Sequence, residues 1–307
     1  MRQIQKTGIL LALGTATISG FSIFIGKIAV TSVKNPVVFT TLKNSIVAIL
    51  LVGVLVLWKK LPELKSISRS DWIKLILIGI VGGSVPFILF FTGLTLTNAV
   101  SAGFIHKMLF VWVALLAIPF LKERLSWIQG AAILLLVGGN IATLGAHSFQ
   151  FGKGELLILL ATIFWAVENI IAKKALANLS STVVAGARMM FGSIILLGVV
   201  ALQGNLGLVA GLSGTQWLWT LIPSVLLLGY VLTWYAALKR APATIVASLL
   251  VPASLITNLL SLAFQGSAMT AAQYAGGGLF IIAVGLLVWQ GMKQHHQTYA
   301  TGQNHTS

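Results

Sequence analysis

The sequence predicts an all-α integral membrane protein of ten transmembrane helices, arranged as two inverted five-helix repeats with both termini in the cytoplasm. The composition, ten long apolar runs and a likeness between the two halves of the chain support this prediction. Of 307 residues, 57% are hydrophobic and 8% are charged, whereas soluble domains carry about 25% charged residues. With a mean hydropathy of +0.98, the chain lacks the polar residues that a water-facing surface needs, so lipid is the expected solvent.

The ten apolar runs are long enough to cross a bilayer, since a membrane-spanning helix needs about 20 apolar residues. The first run follows Arg2 and Lys6, as in a signal peptide. No convincing small-x-small cleavage site comes before the second run, so a retained helix is expected. Charged residues, prolines and clusters of Gly, Ser or Asn separate the runs, whose approximate limits are 8–30, 37–58, 73–95, 99–121, 127–146, 154–173, 183–203, 215–238, 243–264 and 271–291.

Basic residues are concentrated in every second connection between the runs. Cytoplasmic loops of membrane proteins carry an excess of Lys and Arg. Only Lys34 and Lys153 fall in outer loops when the N-terminus is placed inside. This asymmetry predicts cytoplasmic termini. The fourteen basic residues on the cytoplasmic side are then Arg2, Lys6, Lys59, Lys60, Lys65, Arg69, Lys74, Lys122, Arg124, Lys173, Lys174, Lys239, Arg240 and Lys293.

The second half of the chain repeats the first with a shift of 144 to 146 residues. At a shift of 144, segment 125–130 falls on 269–274 and segment 90–94 on 234–238. Each unit holds five helices, an odd number, so the second unit must cross the membrane in the opposite sense, as in transporters that alternate between two openings. The predicted units are residues 1–147 and 148–293, followed by a disordered cytoplasmic tail at 294–307.

One turn in the first half and its weaker copy in the second carry a resemblance to a known family. The turn at 120–130 reads FLKERLSWIQG, and the copy ends at residues 273–278. Together with the ten-helix plan, these segments resemble the EamA-type branch of the drug/metabolite transporter superfamily over nearly the whole chain. The resemblance implies a multi-pass carrier of the bacterial or archaeal inner membrane. Such carriers move small metabolites, commonly exporting amino acids, through a central cavity lined by both halves.

The chain departs from the family pattern at two places. Ser267 and Ala268 stand in the second copy where the first copy has Glu123 and Arg124, so a shared role of that pair is not expected in both halves. In the first helix, Ser19-Gly20 stands where the family often has Trp-Gly, and the corresponding pair of the sixth helix is Trp165-Ala166.

Basic residues inside the spans are the first candidates for substrate or charge-pair contacts, because each costs at least about 2.5 to 3.5 kcal/mol at a helix centre. Lys43 and its repeat equivalent Arg188 lie roughly 8 to 9 Å deep. Their stems can snorkel to an interface, or they bind substrate or backbone carbonyls. Lys107 lies about 14 Å deep, where snorkelling is strained. It is expected either to bind substrate or to form a buried ion pair.

Glu168 is the only acidic residue well inside a span. It shares one helical stripe with Ala161, Trp165 and Ala172, which is the composition of a cavity lining. Glu168 is expected to bind an ammonium group or exchange a proton, or else to form a structural charge pair with Lys107 or Lys43. His106, the neighbour of Lys107, either takes part in proton coupling or packs between helices with hydrogen bonds.

The other predicted substrate-binding residues are aromatic or small and polar. Phe90 and Tyr235 lie in matched segments of the third and eighth helices, where they either stack on substrate or fill helix packing. Pro252 frees backbone carbonyls in the ninth helix. With Ser248 and Asn258 nearby, it predicts a bent, polar wall.

The sequence contains no motif of nucleotide hydrolysis or metal catalysis. It has no Gly-x4-Gly-Lys-Ser/Thr loop, no His-Glu-x-x-His and no cysteine, and it has only five carboxylates. Such a chain is poorly equipped for hydrolysis or phosphoryl transfer. We therefore expect no enzyme, cofactor, metal or nucleic-acid partner, and a gradient-driven process with the proton as candidate coupling ion.

Three function classes remain open from the sequence. The leading one is a secondary transporter of small metabolites, with the two inverted halves rocking about a central site. The second is a flippase for lipids or lipid-linked substrates, whose cavity would open sideways to the bilayer. The third, a membrane-embedded enzyme acting on lipids, requires ionisable side chains that converge at one interface. The different depths of Lys43, Lys107, Glu168 and Arg188 do not suggest such a cluster.

Overall fold

The computed structural model describes residues 2–33, 35–94, 96–97, 99–144, 151–266 and 269–293. Lys34, Ser267, Ala268 and the predicted tail at 294–307 lie outside these ranges. All regular elements within them are helical: α1 (Arg2–Val33), α2 (Pro36–Leu57), α3 (Leu61–Lys65), α4 (Arg69–Gly83), α5 (Val85–Leu94), α6 (Ala99–Lys107), α7 (Leu109–Leu121), α8 (Trp127–Leu144), α9 (Lys153–Ala175), α10 (Ser181–Leu202), α11 (Leu206–Ala210), α12 (Gly214–Arg240), α13 (Ala243–Ser248), α14 (Ala253–Gln265) and α15 (Ala271–Lys293).

The helices confirm the predicted all-α membrane fold. In the described part of the chain, nine helical segments are long and apolar enough to cross a bilayer. The shorter apolar helix 127–143 lies where the fifth span was predicted. The two short helices α3 and α11, in the connections after α2 and α10, were not predicted, and they again occupy equivalent places in the two halves.

The repeat is also visible in the backbone at the helix ends. Among the described residues, the non-glycine positions with positive φ are Lys59 (53°) and Lys122 (56°). Their repeat equivalents are Gly204 (70°) and Gly266 (63°), 145 and 144 residues further on. Lys122 and Gly266 are the left-handed C-caps of α7 and α14, a conformation common where helices end. Equivalent helices therefore stop in the same way in both halves.

Equivalent helices of the two halves run antiparallel, so the repeats are inverted. In the pair α2 and α10, Gly186 near the start of α10 packs against Leu55 near the end of α2, while Thr41 and Val200 line one pocket at the other ends of the helices. The pair α8 and α15 is also antiparallel, because Gly139 contacts Gly276 and Ser126 accepts a hydrogen bond from Gln290.

Most helix packing runs between the halves and not within them. Helix α1 packs against α12, and its repeat equivalent α9 packs against α4 and α5, the equivalents of α12. Thr15 and Thr233 share a 2.8 Å hydrogen bond across the first of these interfaces. Residues on the inner faces of α9, α10 and α12 therefore lie at the boundary between the two repeats.

Three spans are broken within the membrane. The third span breaks at Ser84, between α4 and α5, and the fourth breaks at Met108, between α6 and α7. The ninth breaks over residues 249–252, between α13 and α14, which agrees with the bend expected from Pro252. Met108 and Pro252 are 144 residues apart, so the fourth and ninth spans, equivalent in the repeat, break at equivalent levels. Broken helices of this kind supply backbone groups to transporter sites.

Candidate functional site

A carboxylate and a guanidinium meet at the boundary between the repeats. The Glu168 side chain on α9 is buried, and the Tyr235 hydroxyl on α12 donates a hydrogen bond to its Oε1 at 2.6 Å. Arg188 on α10 is also buried and interacts electrostatically with Glu168 and Tyr235. Among the described residues, no direct salt bridge joins Glu168 to Arg188. The three side chains form a small polar group inside an apolar bundle.

The Gly82 carbonyl connects this group to the aromatic residues. Arg188 Nη2 donates to Gly82 O at 3.2 Å, and Trp165 Nε1 donates to the same oxygen at 3.1 Å. Gly82 lies in the last turn of α4, where carbonyls have no partner within the helix. A Cβ atom at this position would lie 2.2 Å from Glu168 Cγ. The close approach of α4 to Glu168 therefore requires glycine.

Four aromatic rings pack beside Gly82. The Trp165 ring centroid lies 4.9 Å from that of His106, 5.7 Å from Phe90 and 5.4 Å from Phe87. His106 and Phe90 are 5.2 Å apart. His106 Nδ1 is buried without a hydrogen-bond partner in the described structure. The predicted residues Phe90, His106 and Trp165 thus lie together, in contact with the group around Glu168 through Trp165.

Lys107 ends α6 at the break of the fourth span. Lys107 is half-buried, and its ammonium group makes no salt bridge or hydrogen bond with the described residues. The charge pair of Lys107 with Glu168, one of the predicted alternatives, does not form in this structure. The reason is the direction of the side chains: His106 faces α9, and Lys107 points about 100° away around the helix.

The remaining predicted residues lie apart from this group. The Lys43 ammonium lies 5.4 Å from the Phe39 ring centroid, one turn back along α2. The side chain therefore extends toward the start of α2, the direction in which it would reach an interface by snorkelling. Lys43 likewise forms no salt bridge with Glu168. Ser248 ends α13 and is buried, and its hydroxyl has no hydrogen-bond partner within the described ranges. Asn258 is half-buried on α14.

Three contributors to the site were not predicted, namely Phe87, Gly82 and Tyr230. Gly82 was missed although Gly82-Gly83-Ser84 is a helix-breaking sequence within an apolar run, which is a detectable signal. Tyr230 was missed because nothing in the sequence separates it from other aromatic residues of the spans. Its ring stacks on Trp234 with centroids 5.9 Å apart, and it interacts electrostatically with Arg188 and Glu168.

Carboxylates hold the two repeats together at one end of the bundle. It is called here the α9–α10 end, because it contains the connection between α9 and α10 at residues 176–180. Glu123, in the turn that resembles the family, accepts hydrogen bonds from Ala243 N at 2.6 Å and from Thr244 N at 3.1 Å. It thereby caps α13, the first half of the broken ninth span. Lys173, which interacts electrostatically with Glu123, donates to the Leu238 and Ala241 carbonyls.

Two further acids bridge the repeats at this end. Glu63 Oε1 accepts from Ser180 N at 2.6 Å, and Asp71 Oδ2 accepts from Asn178 Nδ2 at 3.2 Å. At the opposite end, Glu155 contacts Thr97, and an apolar pocket opens between α2, α10 and α11. The pocket is lined by Val38, Thr41, Leu42, Leu197, Val200, Leu206 and Val209. The polar contacts between the repeats are thus concentrated at the α9–α10 end.

Comparison with known proteins shows which family and which relatives the chain matches. The chain matches the EamA-like transporter family twice, at residues 6–145 and 152–289. A protein of Methanothermobacter thermautotrophicus, described as an uncharacterized transporter, is 24% identical over 233 residues, which are 73% of this chain and 67% of that protein. A protein of Archaeoglobus fulgidus with the same description is 23% identical over 270 residues, 86% of this chain and 90% of that protein.

A solved crystal structure has the same fold as this chain. The two superpose with a TM-score of 0.75 at 18% sequence identity, and the match covers 95% of this chain and 98% of the other. At that identity the likeness concerns the fold alone.

Proposed function

Because this chain belongs to the EamA-like transporter family, we propose that it is a secondary active transporter that exports small metabolites, such as amino acids, by alternating access between its inverted repeats. Transport across the membrane is the property shared by the family and by the descriptions of the relatives. The substrate, the direction and the mechanism are the parts that we propose.

The observation that supports an amino-acid substrate is the pairing of Glu168 and Arg188 at the repeat boundary. The two side chains interact electrostatically without a direct salt bridge. A zwitterionic substrate presents an ammonium group and a carboxylate, whose charges are opposite to those of Glu168 and Arg188 respectively. Arginine binds carboxylates with two parallel hydrogen bonds. The aromatic rings around Trp165 offer apolar surface to the rest of the substrate.

The broken helices and the inverted repeats support alternating access as the mechanism. The breaks at Met108 and at residues 249–252 lie in the equivalent fourth and ninth spans, which belong to different halves. In transporters built from inverted repeats, a site at such breaks is exposed in turn to either side when one half rocks against the other. We place the protein in the inner membrane with cytoplasmic termini, following its charge asymmetry.

The proton is the coupling ion that this site favours. Glu168 is a buried carboxylate whose partner, Tyr235, is a neutral donor. The affinity of such a carboxylate for a proton depends on its solvation and on the neighbouring cation. When substrate or water replaces Tyr235 as the partner of Glu168, the protonation of the carboxyl group changes, which links substrate binding to proton movement.

Counterflow of radiolabelled amino acids in proteoliposomes tests the proposal. The purified protein should exchange external label against internal unlabelled substrate with saturation. In a second assay, with a proton gradient imposed across the same proteoliposomes, Glu168→Gln should abolish the accumulation of label. Lys174→Gln, an exposed position that lies over Phe120, is the control and should behave as the wild type. Phospholipid scrambling in the same vesicles without amino-acid flux would overturn the proposal in favour of a lipid flippase.

A further inference from the structure

The charges deep in the membrane do not balance. Among the described side chains, those at least six residues from either end of a candidate span are the cations Lys43, Lys107 and Arg188 and the single acid Glu168. Lys27 stands outside this comparison because its side chain is not described. The interior of the bundle therefore carries an excess of positive charge.

The one acid is already matched by its neighbours. Glu168 accepts a hydrogen bond from Tyr235 and interacts electrostatically with Arg188. Lys107, in contrast, forms no salt bridge with any described acid. A cation at membrane depth costs at least about 2.5 to 3.5 kcal/mol on insertion scales, and a partner of opposite charge reduces this cost. The missing negative charge is not supplied by the described part of the protein.

Lys107 is the unmatched cation closest to the site. It ends α6 directly after His106, whose ring contacts Trp165 at 4.9 Å. Lys107 therefore lies at a helix break and follows directly in sequence a member of the aromatic cluster. Lys43 differs, because its ammonium lies over the Phe39 ring toward the start of α2. Of the two lysines, Lys107 is therefore the one that adjoins the aromatic cluster of the site.

From this imbalance we propose that the cargo is an organic acid with a net negative charge, such as an acidic amino acid. In this proposal Arg188 binds one carboxylate of the cargo and Lys107 binds the other. The inference rests on the transport function proposed above and adds a substrate class to it. In an acidic amino acid the two carboxylates face Arg188 and Lys107, and the ammonium group faces Glu168.

Glutamate and glutamine are the matched probes for this proposal, because they have nearly the same shape and differ by one negative charge. In counterflow with wild-type proteoliposomes, glutamate should compete at least about tenfold better than glutamine, which corresponds to about 1.4 kcal/mol. Lys107→Gln should remove this preference, and Lys107→Arg should keep it. Lys174→Gln removes one positive charge at an exposed position and should leave the preference unchanged.

The outcomes separate the inference from the function on which it rests. Glutamine transported as well as or better than glutamate by the wild type would overturn the inference and leave amino-acid transport standing. A glutamate preference that persists in a folded Lys107→Gln variant would overturn the role of Lys107. Succinate, an organic acid without an ammonium group, is a further probe. If succinate is transported and no amino acid is, the result supports the anionic cargo but contradicts the proposed amino-acid substrate. No solute flux at all would overturn both proposals. The wild-type comparison decides the charge of the cargo even if Lys107→Gln fails to fold.

Discussion

Tyr235 donates its hydroxyl hydrogen to the Glu168 carboxylate over 2.6 Å, and this bond joins the sixth and eighth spans at the repeat boundary. Both side chains are buried, at 0% and 1% exposure, so water does not replace the bond when it is removed. An unsatisfied buried polar group costs about 1 to 3 kcal/mol, and more when it is charged. The pair is therefore important for stability as well as for the proposed transport cycle.

Tyr235→Phe should lower the melting temperature and the rate of transport. The substitution keeps the ring and removes the one hydrogen bond that the Glu168 side chain makes with the described residues. We expect a loss of about 1 to 3 kcal/mol in the free energy of unfolding, measured by thermal denaturation in detergent. Tyr230→Phe is the matched control, because among the described residues Tyr235, and not Tyr230, donates the hydroxyl hydrogen bond to Glu168, and phenylalanine retains the ring that stacks on Trp234. Equal stability losses in the two variants would contradict the role given to the Tyr235 hydroxyl.

Gly82→Ala should disrupt the site by a single methyl group. The added Cβ would lie 2.2 Å from Glu168 Cγ, so either α4 or the Glu168 side chain must shift, which disturbs the contacts of the shared carbonyl or of the carboxylate. Overpacking of this kind costs about 1 to 3 kcal/mol, and transport should fall with stability. Gly130→Ala on α8 meets no atom within 4 Å and should be neutral or slightly stabilising. Full flux in Gly82→Ala would show that the carbonyl of Gly82 is dispensable.

The sequence predicted the helices of this site better than the pairing of its side chains. Apolar runs and basic loops identified the spans, and Pro252 predicted the break in the ninth span. The equivalent break at Met108 was not predicted, because no proline or glycine marks it. Depth along a helix also placed Lys107 and Glu168 within the membrane, but depth does not say which way a side chain points in the bundle. The partner of Glu168 is consequently Tyr235, with Arg188 nearby, and Lys107 takes no part in that contact.

Glu123→Gln should open the α9–α10 end of the bundle. The carboxylate caps α13 through Ala243 N and Thr244 N, and a negative charge at a helix N-terminus contributes about 0.3 to 1 kcal/mol. The buried Ser248 at the other end of α13 provides a reporter, since the chain contains no cysteine. Ser248→Cys should react faster with a small maleimide when combined with Glu123→Gln.

Glu155→Gln is the control for that experiment. Glu155 contacts Thr97 at the opposite end of the bundle, so its loss should not speed the labelling of the cysteine at position 248. Equal acceleration by the two substitutions would indicate general loosening and not release of α13. Unchanged labelling in the Glu123→Gln background would contradict the role of Glu123 in holding this end closed.

The orientation in the membrane follows from the basic residues and is tested by single cysteines in this cysteine-free chain. Ser66 is exposed after α3, in the segment that carries Lys59, Lys60 and Lys65. Because loops rich in Lys and Arg remain in the cytoplasm, Ser66→Cys should resist an impermeant maleimide added to intact cells and react after lysis. Ser307→Cys, in the tail, should do the same.

A third cysteine makes the orientation experiment decisive. Gln203 is exposed at the end of α10, and α10 begins at the α9–α10 end, where the connection after α2 also lies. Since α10 crosses the membrane once, Gln203→Cys must lie on the side opposite to Ser66→Cys. It should therefore react in intact cells. Labelling of Ser66→Cys with protection of Gln203→Cys would reverse the orientation, and with it the assignment of the carboxylate-rich α9–α10 end to the cytoplasm.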